Sequence, residues 1–223
     1  MRKLLGLTIT AATILSTAAI AAPERIRGTV TAIDASSMTV HTATSDMTIA
    51  LTGDTKYLKT VKSSLDKVDK DSFIGTATKD VGDKMIALEV VIFPAAMKGT
   101  GEGHYGWDRI ADTTVGGSGT TSSMMTNGTI SAVQGGATAN STMTNGTVTA
   151  ADAKGGAKQI TVDYKGGQKT ITVPPTAPIV SFEPDTMSDV AAGKAVFVIA
   201  NKEGGKLTGG AVIVGTEGAP PPM

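Results

Sequence analysis

The sequence predicts an all-β protein made of two tandem, small five-stranded OB-like β-barrels. Aromatic residues make up only 4% of the chain, whereas Thr, Val, Ala and Gly are plentiful, and this mix favours short strands joined by tight turns. The segment "IRGTVTAIDASSMTV" (26–40) recurs as "MTNGTVTAADAKGGAKQITV" (143–162), and both alternate apolar and polar residues. An internal repeat of this kind indicates one supersecondary unit that is used twice.

Residues 1–21 have the features of a secretory signal peptide. Arg2 and Lys3 precede an apolar run over 4–21 that ends in the small-residue pattern Ala-Ile-Ala, so cleavage is expected after Ala21. The alternative is a retained membrane anchor, although several Thr and Ser residues interrupt the run. No later segment approaches the ~20 apolar residues of a transmembrane helix, so we expect a soluble periplasmic or secreted protein.

The first barrel is predicted over residues 22–94. Strands are predicted near 25–33, 37–43, 46–52, 72–79 and 84–93. Between the third and fourth strands, Val61, Leu65 and Val68 recur at helical spacing, which predicts a short helix. Three strands, a helix and two more strands are the order of a five-stranded barrel of the OB type. The alternative for the whole chain is a single β-sandwich.

Residues 95–142 are predicted to be a linker rich in Gly, Ser and Thr. A connection of this length inside a compact domain is either functional or flexible. The linker also holds a second, smaller duplication, because "MTNGTISAVQGGA" (125–137) resembles the beginning of the second repeat at 143–157. This spare copy is expected to form an extra strand or to compete with 143–150 for one place in the second barrel.

The second barrel is predicted over residues 143–216. Its strands are expected near 144–150, 158–164, 168–174, 194–201 and 206–214. The segment "EPDTMSDVAAGK" replaces the helix of the first repeat and is long enough for one turn. The tail "GAPPPM" belongs to a segment, 217–223, that is predicted to be disordered.

Composition excludes several classes of function. The chain has no cysteine, which excludes thiol chemistry and disulfides. Acidic and basic residues number 20 each, and no basic block is present, so no nucleic-acid partner is expected. The expected partner is an envelope protein or a small ligand.

The stretch "FPAAMKGTGEGHYGWD" (93–108) differs in composition from the rest of the chain and holds its single tryptophan. Glu102, His104 and Asp108 lie within seven residues, and their side chains are ligand types for zinc, copper or nickel. A divalent transition metal is therefore one candidate cofactor. The only other imidazole, His41, is predicted on the solvent face of the second strand.

Two alternatives to a metal site remain open for this stretch. Trp107 is expected either to pack over a barrel mouth with Tyr105 beside it, or to form with Tyr105 a stacking surface for a ligand. A hydrolase would need His104 with Glu102 or Asp108 and a nucleophile, and no catalytic motif supplies one. Absence of enzymatic activity is therefore expected.

The repeat "GTVTAID…MTVHT…MTIALTGDT", together with "FPAAMKGTGEGHYGWD" and "STMTNGTV", resembles a family of bacterial exported proteins. These are tandem OB-like proteins of unknown function, which often carry the name metal ABC transporter permease. The resemblance covers nearly the whole mature chain and implies no catalytic residues. We therefore expect an exported, non-enzymatic binding or envelope-interaction module. The alternative is a soluble periplasmic accessory in the handling or transport of zinc, copper or nickel.

Overall fold

A computed structural model describes residues 23–134 and 156–222 and confirms the all-β class. The described residues form thirteen strands and three 3₁₀ helices of one turn each. The strands are β1 (Glu24–Ile33), β2 (Ser37–His41), β3 (Asp46–Ala50), β4 (Lys56–Lys62), β5 (Phe73–Val81), β6 (Lys84–Ile92), β7 (Gly103–Ala111), β8 (Thr120–Gln134), β9 (Lys158–Tyr164), β10 (Gly167–Val173), β11 (Ile179–Pro184), β12 (Ala195–Glu203) and β13 (Lys206–Val214). The helices are Leu65–Lys67, Ala95–Met97 and Met187–Asp189.

The same series of elements occurs twice along the chain. Four strands, a one-turn helix and two strands make up β1–β6, and the same order is repeated in β8–β13. Strand β7 lies between these two series, and no other described strand is its counterpart. Nine of the ten strands predicted from the sequence are present, and the tenth, at 144–150, lies outside the described residues, as does the predicted signal peptide.

Five strands form a closed cycle of pairings that we name the first ring. It consists of β1, β2, β3, β13 and β12, and the parallel pairing of β3 with β13 completes the cycle. The inward side chains are buried and almost all aliphatic, including Val40, Ile49 and Val198, none of which is measurably exposed. Alternation along each strand sends the neighbouring residues to the outer face.

A second ring repeats this pattern with β8, β9, β10, β6 and β5. The parallel pairing of β10 with β6 completes the cycle. The core of this ring contains Ile74, Ile130 and Ile171, and the segment that includes Leu65–Lys67 covers one end of the core through Leu65. Each ring thus has its own apolar interior.

The remaining strands β4 and β11 join the two rings. They pair antiparallel to each other, with Thr60 opposite Phe182. Strand β4 runs parallel to β13 of the first ring, and β11 runs parallel to β6 of the second ring. The pairings are therefore related by an approximate two-fold axis that passes beside Thr60 and Phe182.

The pairings do not confirm two tandem OB-like barrels that each close within one half of the chain. The first ring takes β12 and β13 from the second repeat, and the second ring takes β5 and β6 from the first repeat. The difference arises at residues 56–62, the end of which was included in the predicted helix through Val61. This segment is strand β4, and it carries the extended chain about 23 Å towards the other ring.

Two further segments differ from the predictions. The predicted linker at 95–142 contains β7 and β8, and β8 takes the place of a first strand in the second ring. The tail predicted to be disordered packs against the sheet through residue 222. Ala219 is fully buried, and its carbonyl accepts a hydrogen bond from the Thr60 hydroxyl. Ala219 also packs in an apolar cluster with Leu58 and Ile213, so burial and hydrogen bonding together hold this segment on the sheet.

The one-turn helix predicted in the second repeat is confirmed at Met187–Asp189. Within residues 23–134 and 156–222, no helix has the length and apolar character needed to cross a membrane.

Candidate functional site

A cavity of about 610 Å³ lies between the two rings. The outer faces of both rings and the central strands β4 and β11 form its floor, through residues such as Leu58, Val91 and Ile213. Strand β7, the segment before it and Pro222 of the tail complete the wall. Elements from both repeats and from the unrepeated β7 are therefore needed to enclose the cavity.

Aromatic side chains make up much of the cavity wall. The rings of Phe93 and Phe182 are 5.3 Å apart and nearly perpendicular, at 83°. Trp107 lies 6.4 Å from Phe197 on one side and 6.1 Å from Tyr105 on the other, measured between ring centroids. Tilted and perpendicular arrangements at these distances are favourable for aromatic pairs. The wall is consequently an apolar surface of packed aromatic rings.

The segment before β7 positions the tyrosine of this wall. Pro94 ends β6, and Ala95–Met97 forms a single 3₁₀ turn that brings the Met97 side chain to the cavity. Gly101 has a φ of 59°, a value that side chains other than glycine rarely adopt. The Gly101 carbonyl then accepts a hydrogen bond from the Tyr105 hydroxyl at 3.1 Å.

Two arginines and one aspartate lie at the edge of the cavity beside Trp107. The guanidinium of Arg25 stacks over the Trp107 ring, with Cζ 4.0 Å from the ring centroid. Arg27 donates a hydrogen bond to Asp108 and lies 4.5 Å from the ring centroid of Phe197. Arg25 is farther from the same carboxylate, with 3.9 Å between Nη1 and Oδ1. One carboxylate is thus shared by two guanidinium groups.

Asn127 supplies a polar group on the opposite wall. Its side-chain Nδ2 donates to the Gly101 carbonyl and the Tyr105 hydroxyl, each at 3.1 Å. Its Oδ1 is buried and has no hydrogen-bond donor among the described residues. This oxygen lies against Gly75, where an added Cβ would be only 2.5 Å away.

The phenol of Tyr105 responds to both burial and charge. Burial raises the pKa of Tyr105 above 10.0, its ordinary value, and the positive charge of Arg25 partly opposes this increase. The phenol is therefore neutral at physiological pH and acts as a hydrogen-bond donor.

The three residues predicted as metal ligands are not brought together. Glu102 accepts a hydrogen bond from the Lys165 amide at 3.0 Å, His104 Nδ1 lies 2.9 Å from the Thr126 hydroxyl, and Asp108 pairs with Arg27. Among the described residues, no cluster of three or more His, Asp or Glu side chains is arranged to hold a metal ion. The spacing in the sequence was misleading because β7 is extended, so that residues four apart are separated by about 13 Å. The register of β7 also shifts between Gly106 and Arg109, which changes the direction of Asp108 relative to His104.

His104 and Asp108 also have separate partners, which weakens the hydrolase alternative. His104 lies on the face of β7 that packs near Tyr164, 6.1 Å away between ring centroids. Burial lowers the pKa of His104 below 6.5, and the positive charge of Lys169 lowers it further, although Asp80 opposes both. His41 is exposed, as predicted, and its Nδ1 lies 2.6 Å from Asp46.

Trp107 and Tyr105 both line the cavity, and Trp107 packs against Phe197 of the first ring. Sequence analysis missed Arg25, Phe182 and Phe197, which lie in strands far from the suspected stretch. A signal was nevertheless present in the repeat. Gly28 pairs with Val196 in the first ring, and Gly128 pairs with Ile74 at the equivalent position of the second ring. Phe197, which follows Val196, therefore corresponds to the glycine that follows Ile74.

Comparison with protein-family models, curated proteins and solved structures gives no match.

Proposed function

We propose that this protein is a non-enzymatic binding protein that holds a small, largely apolar molecule in the cavity between its two rings. The observation that carries the proposal is the cavity itself, which has a volume of about 610 Å³. Sites for small molecules generally measure about 300–1,000 Å³ and combine apolar walls with a few polar groups. Trp107, Phe182 and Phe197 supply the apolar wall, and Arg25 and Asn127 supply polar groups.

The types of polar group at the cavity support binding over catalysis. Arg25, Asn127 and Tyr105 can hold and orient a ligand, because they offer guanidinium, amide and phenol groups. Hydrolysis by a side-chain nucleophile needs a base within hydrogen-bond reach of that nucleophile. His104, the candidate base, is engaged with Thr126 on the other face of β7.

Export to the periplasm is part of the proposal. The positively charged start, the apolar run and the small-residue end of residues 1–21 support it. Intact mass measurement of protein recovered from the periplasm of a bacterial host tests it. We expect a mature chain that begins at Ala22, and a full-length mass confined to the cytoplasm or membrane would contradict export.

We also propose that each ring derives from one OB-like unit and that the two units have exchanged their last two strands. The repeated order of elements in β1–β6 and β8–β13 supports this interpretation. Exchange of identical elements between similar units is an energetically inexpensive rearrangement, because each strand keeps an equivalent set of neighbours.

Titration with the neutral fluorophore N-phenyl-1-naphthylamine tests the binding function. Trp107 is the single tryptophan and lines the cavity, so bound probe should accept its excitation energy. We expect saturable binding at one site in the processed protein. Processing matters because Pro23 lines the cavity, and in an uncleaved chain Pro23 would still be covalently joined to residues 1–21 through Ala22.

Two variants test whether the fluorophore binds in this cavity. Ala211→Phe places a ring in the cavity and should weaken probe binding at least about tenfold, equivalent to a loss of about 1.4 kcal/mol. Ala32→Phe is the matched control, because Ala32 is exposed on β1 and the same ring is added to solvent. Equal binding by both variants, with both still folded by circular dichroism, would contradict a site in this cavity.

A further inference from the structure

We propose that the cavity selects a single-chain amphiphile with an anionic carboxylate head group and that Arg25 binds this head group. The inference rests on the proposed binding function and specifies its ligand. It arises from an imbalance of charge at one edge of an otherwise apolar cavity, where Arg25 lines the wall beside Trp107.

The first step of the argument is the incomplete pairing of Arg25. Its Nη1 is buried and has no hydrogen-bond partner among the described residues. The carboxylate oxygen Oδ1 of Asp108 is 3.9 Å from this nitrogen, which is beyond hydrogen-bond distance. A buried donor without an acceptor is costly, and an anionic oxygen of a ligand would remove that cost.

The second step concerns the carboxylate of Asp108. Its other oxygen, Oδ2, already accepts a hydrogen bond from Arg27. Two guanidinium groups therefore share one negative charge at this edge. A second carboxylate would complete two Arg–carboxylate pairs, which are geometrically favourable because the planar guanidinium presents parallel N–H donors.

The third step is how Arg25 is held. Its guanidinium stacks on Trp107 at 4.0 Å, and Trp107 packs in turn against Phe197. Stacking fixes the plane of the guanidinium and leaves its edge available for hydrogen bonds. A head group at this edge would place an attached apolar chain against Phe182 and Phe93, which form the adjoining wall.

A series of ligands with one chain and three head groups tests the inference. Dodecanoate, dodecan-1-ol and dodecyltrimethylammonium are used to displace N-phenyl-1-naphthylamine from processed protein, at concentrations below those that form micelles. We expect dodecanoate to bind at least about tenfold more tightly than dodecan-1-ol, because charge-assisted hydrogen bonds are stronger than neutral ones. The cationic ligand should bind most weakly.

Variants of the arginine provide the second arm. Arg25→Gln should remove the preference for dodecanoate while dodecan-1-ol still binds, and Arg25→Lys should retain part of the preference. Arg109→Gln is the matched control, because Arg109 lies exposed on β7 and bonds to the Thr120 carbonyl at 2.8 Å. Retained binding of dodecan-1-ol shows that the Arg25 variants remain folded.

The outcomes separate this inference from the function on which it rests. Equal binding of dodecanoate and dodecan-1-ol by the unmodified protein would overturn the head-group assignment and leave the binding function intact. A preference for dodecanoate that persists in Arg25→Gln would overturn the role of Arg25. Failure of the fluorophore and of all three ligands to bind would overturn the proposed function itself.

Discussion

The two rings share their pattern of strand pairing, yet they contribute unequal side chains to the cavity between them. In the first ring, β1 and β12 provide Arg25 and Phe197. When the register of β1 with β12 is aligned with that of β8 with β5, Met125 corresponds to Arg25 and Gly75 corresponds to Phe197. The interiors of both rings are aliphatic and alike. The two repeats thus agree in the apolar residues inside each ring, and they differ in the residues that line the cavity.

Strand β7 is the second difference between the rings. It pairs with β8 of the second ring, and no described strand occupies the equivalent place beside β1 of the first ring. The aromatic side chains of β7 extend across the cavity towards the first ring, as the contact of Trp107 with Phe197 shows. An approximately symmetric scaffold consequently carries an asymmetric site.

The largest expected effect comes from dividing the chain between the repeats. Residues 23–98 and 99–222, expressed separately, should each fail to form a stable native fold, because each ring needs strands from both pieces. Mixing the pieces should restore native circular dichroism and a native Trp107 emission spectrum. Two pieces that each fold and unfold cooperatively alone would contradict the exchange and support barrels that close within one repeat.

Equivalent glycines in the two rings should tolerate substitution equally poorly. A Cβ on Gly28 would lie under 3.0 Å from the His41 carbonyl oxygen, and one on Gly128 under 3.0 Å from that of Asp163. Each change to alanine should lower the free energy of unfolding by about 2 kcal/mol, because the paired strand has to move. Urea denaturation measures the effect.

Gly106→Ala is the control for these glycine variants, since a Cβ there meets nothing within 4 Å. It should have an effect of less than about 0.5 kcal/mol. A large loss in one ring and none in the other would show that the rings are not equivalent in their closure.

A smaller effect is expected where β7 is fastened to the second ring. Lys79 of β5 donates a hydrogen bond to Asp112 at 2.6 Å, just beyond the end of β7. This hydrogen bond, with another from Thr114, lowers the pKa of Asp112 below 3.8. Asp112→Asn should cost about 1 kcal/mol at pH 7 in urea denaturation, a value typical of a well-formed pair near the surface.

The contribution of Asp112 should also depend on pH with a defined sign. A carboxyl whose pKa is lower in the folded state stabilises the protein above the unfolded value of 3.8, and the effect is lost as pH falls through the folded value. The difference between Asp112→Asn and the unmodified protein should therefore shrink at pH 3. Asp66→Asn is the control, because Asp66 pairs with Lys158 but is 80% exposed, and its effect should be near zero at both pH values.

Much of this fold could be predicted from the sequence, and the failures have physical causes. Period-two alternation located the strands because one face of each is buried. The pairing of strands from different repeats was hidden, because similar repeats offer equivalent apolar faces to either partner. Strand β4 was partly assigned to a helix, since Val61, Leu65 and Val68 also fit helical spacing and only tertiary pairing decides between the two.

The candidate site was predictable only in part. Trp107 and Tyr105 stood out because aromatic residues are rare in this chain, and both line the cavity. Arg25 and Phe182 did not stand out, since their neighbours across the cavity come from distant segments that only the register of the sheet brings together. The metal prediction relied on spacing along the chain and did not allow for the extended path of β7 or for its register shift between Gly106 and Arg109.

The smallest expected effect concerns His104, on the face of β7 that turns away from Trp107 towards the second ring. Because its pKa is lower in the folded state, the unfolded state binds more protons, and stability falls as pH decreases below about 6.5. His104→Gln should remove this dependence, so the variant should lose less stability than the unmodified protein between pH 7 and pH 5. Thermal melting across that interval measures the difference, which should be below about 1 kcal/mol because the imidazole is only partly buried.

If zinc, copper or nickel ions raised the melting temperature of the unmodified protein but not of His104→Gln, the residue would be a metal ligand after all, and the asymmetry of β7 would serve metal handling.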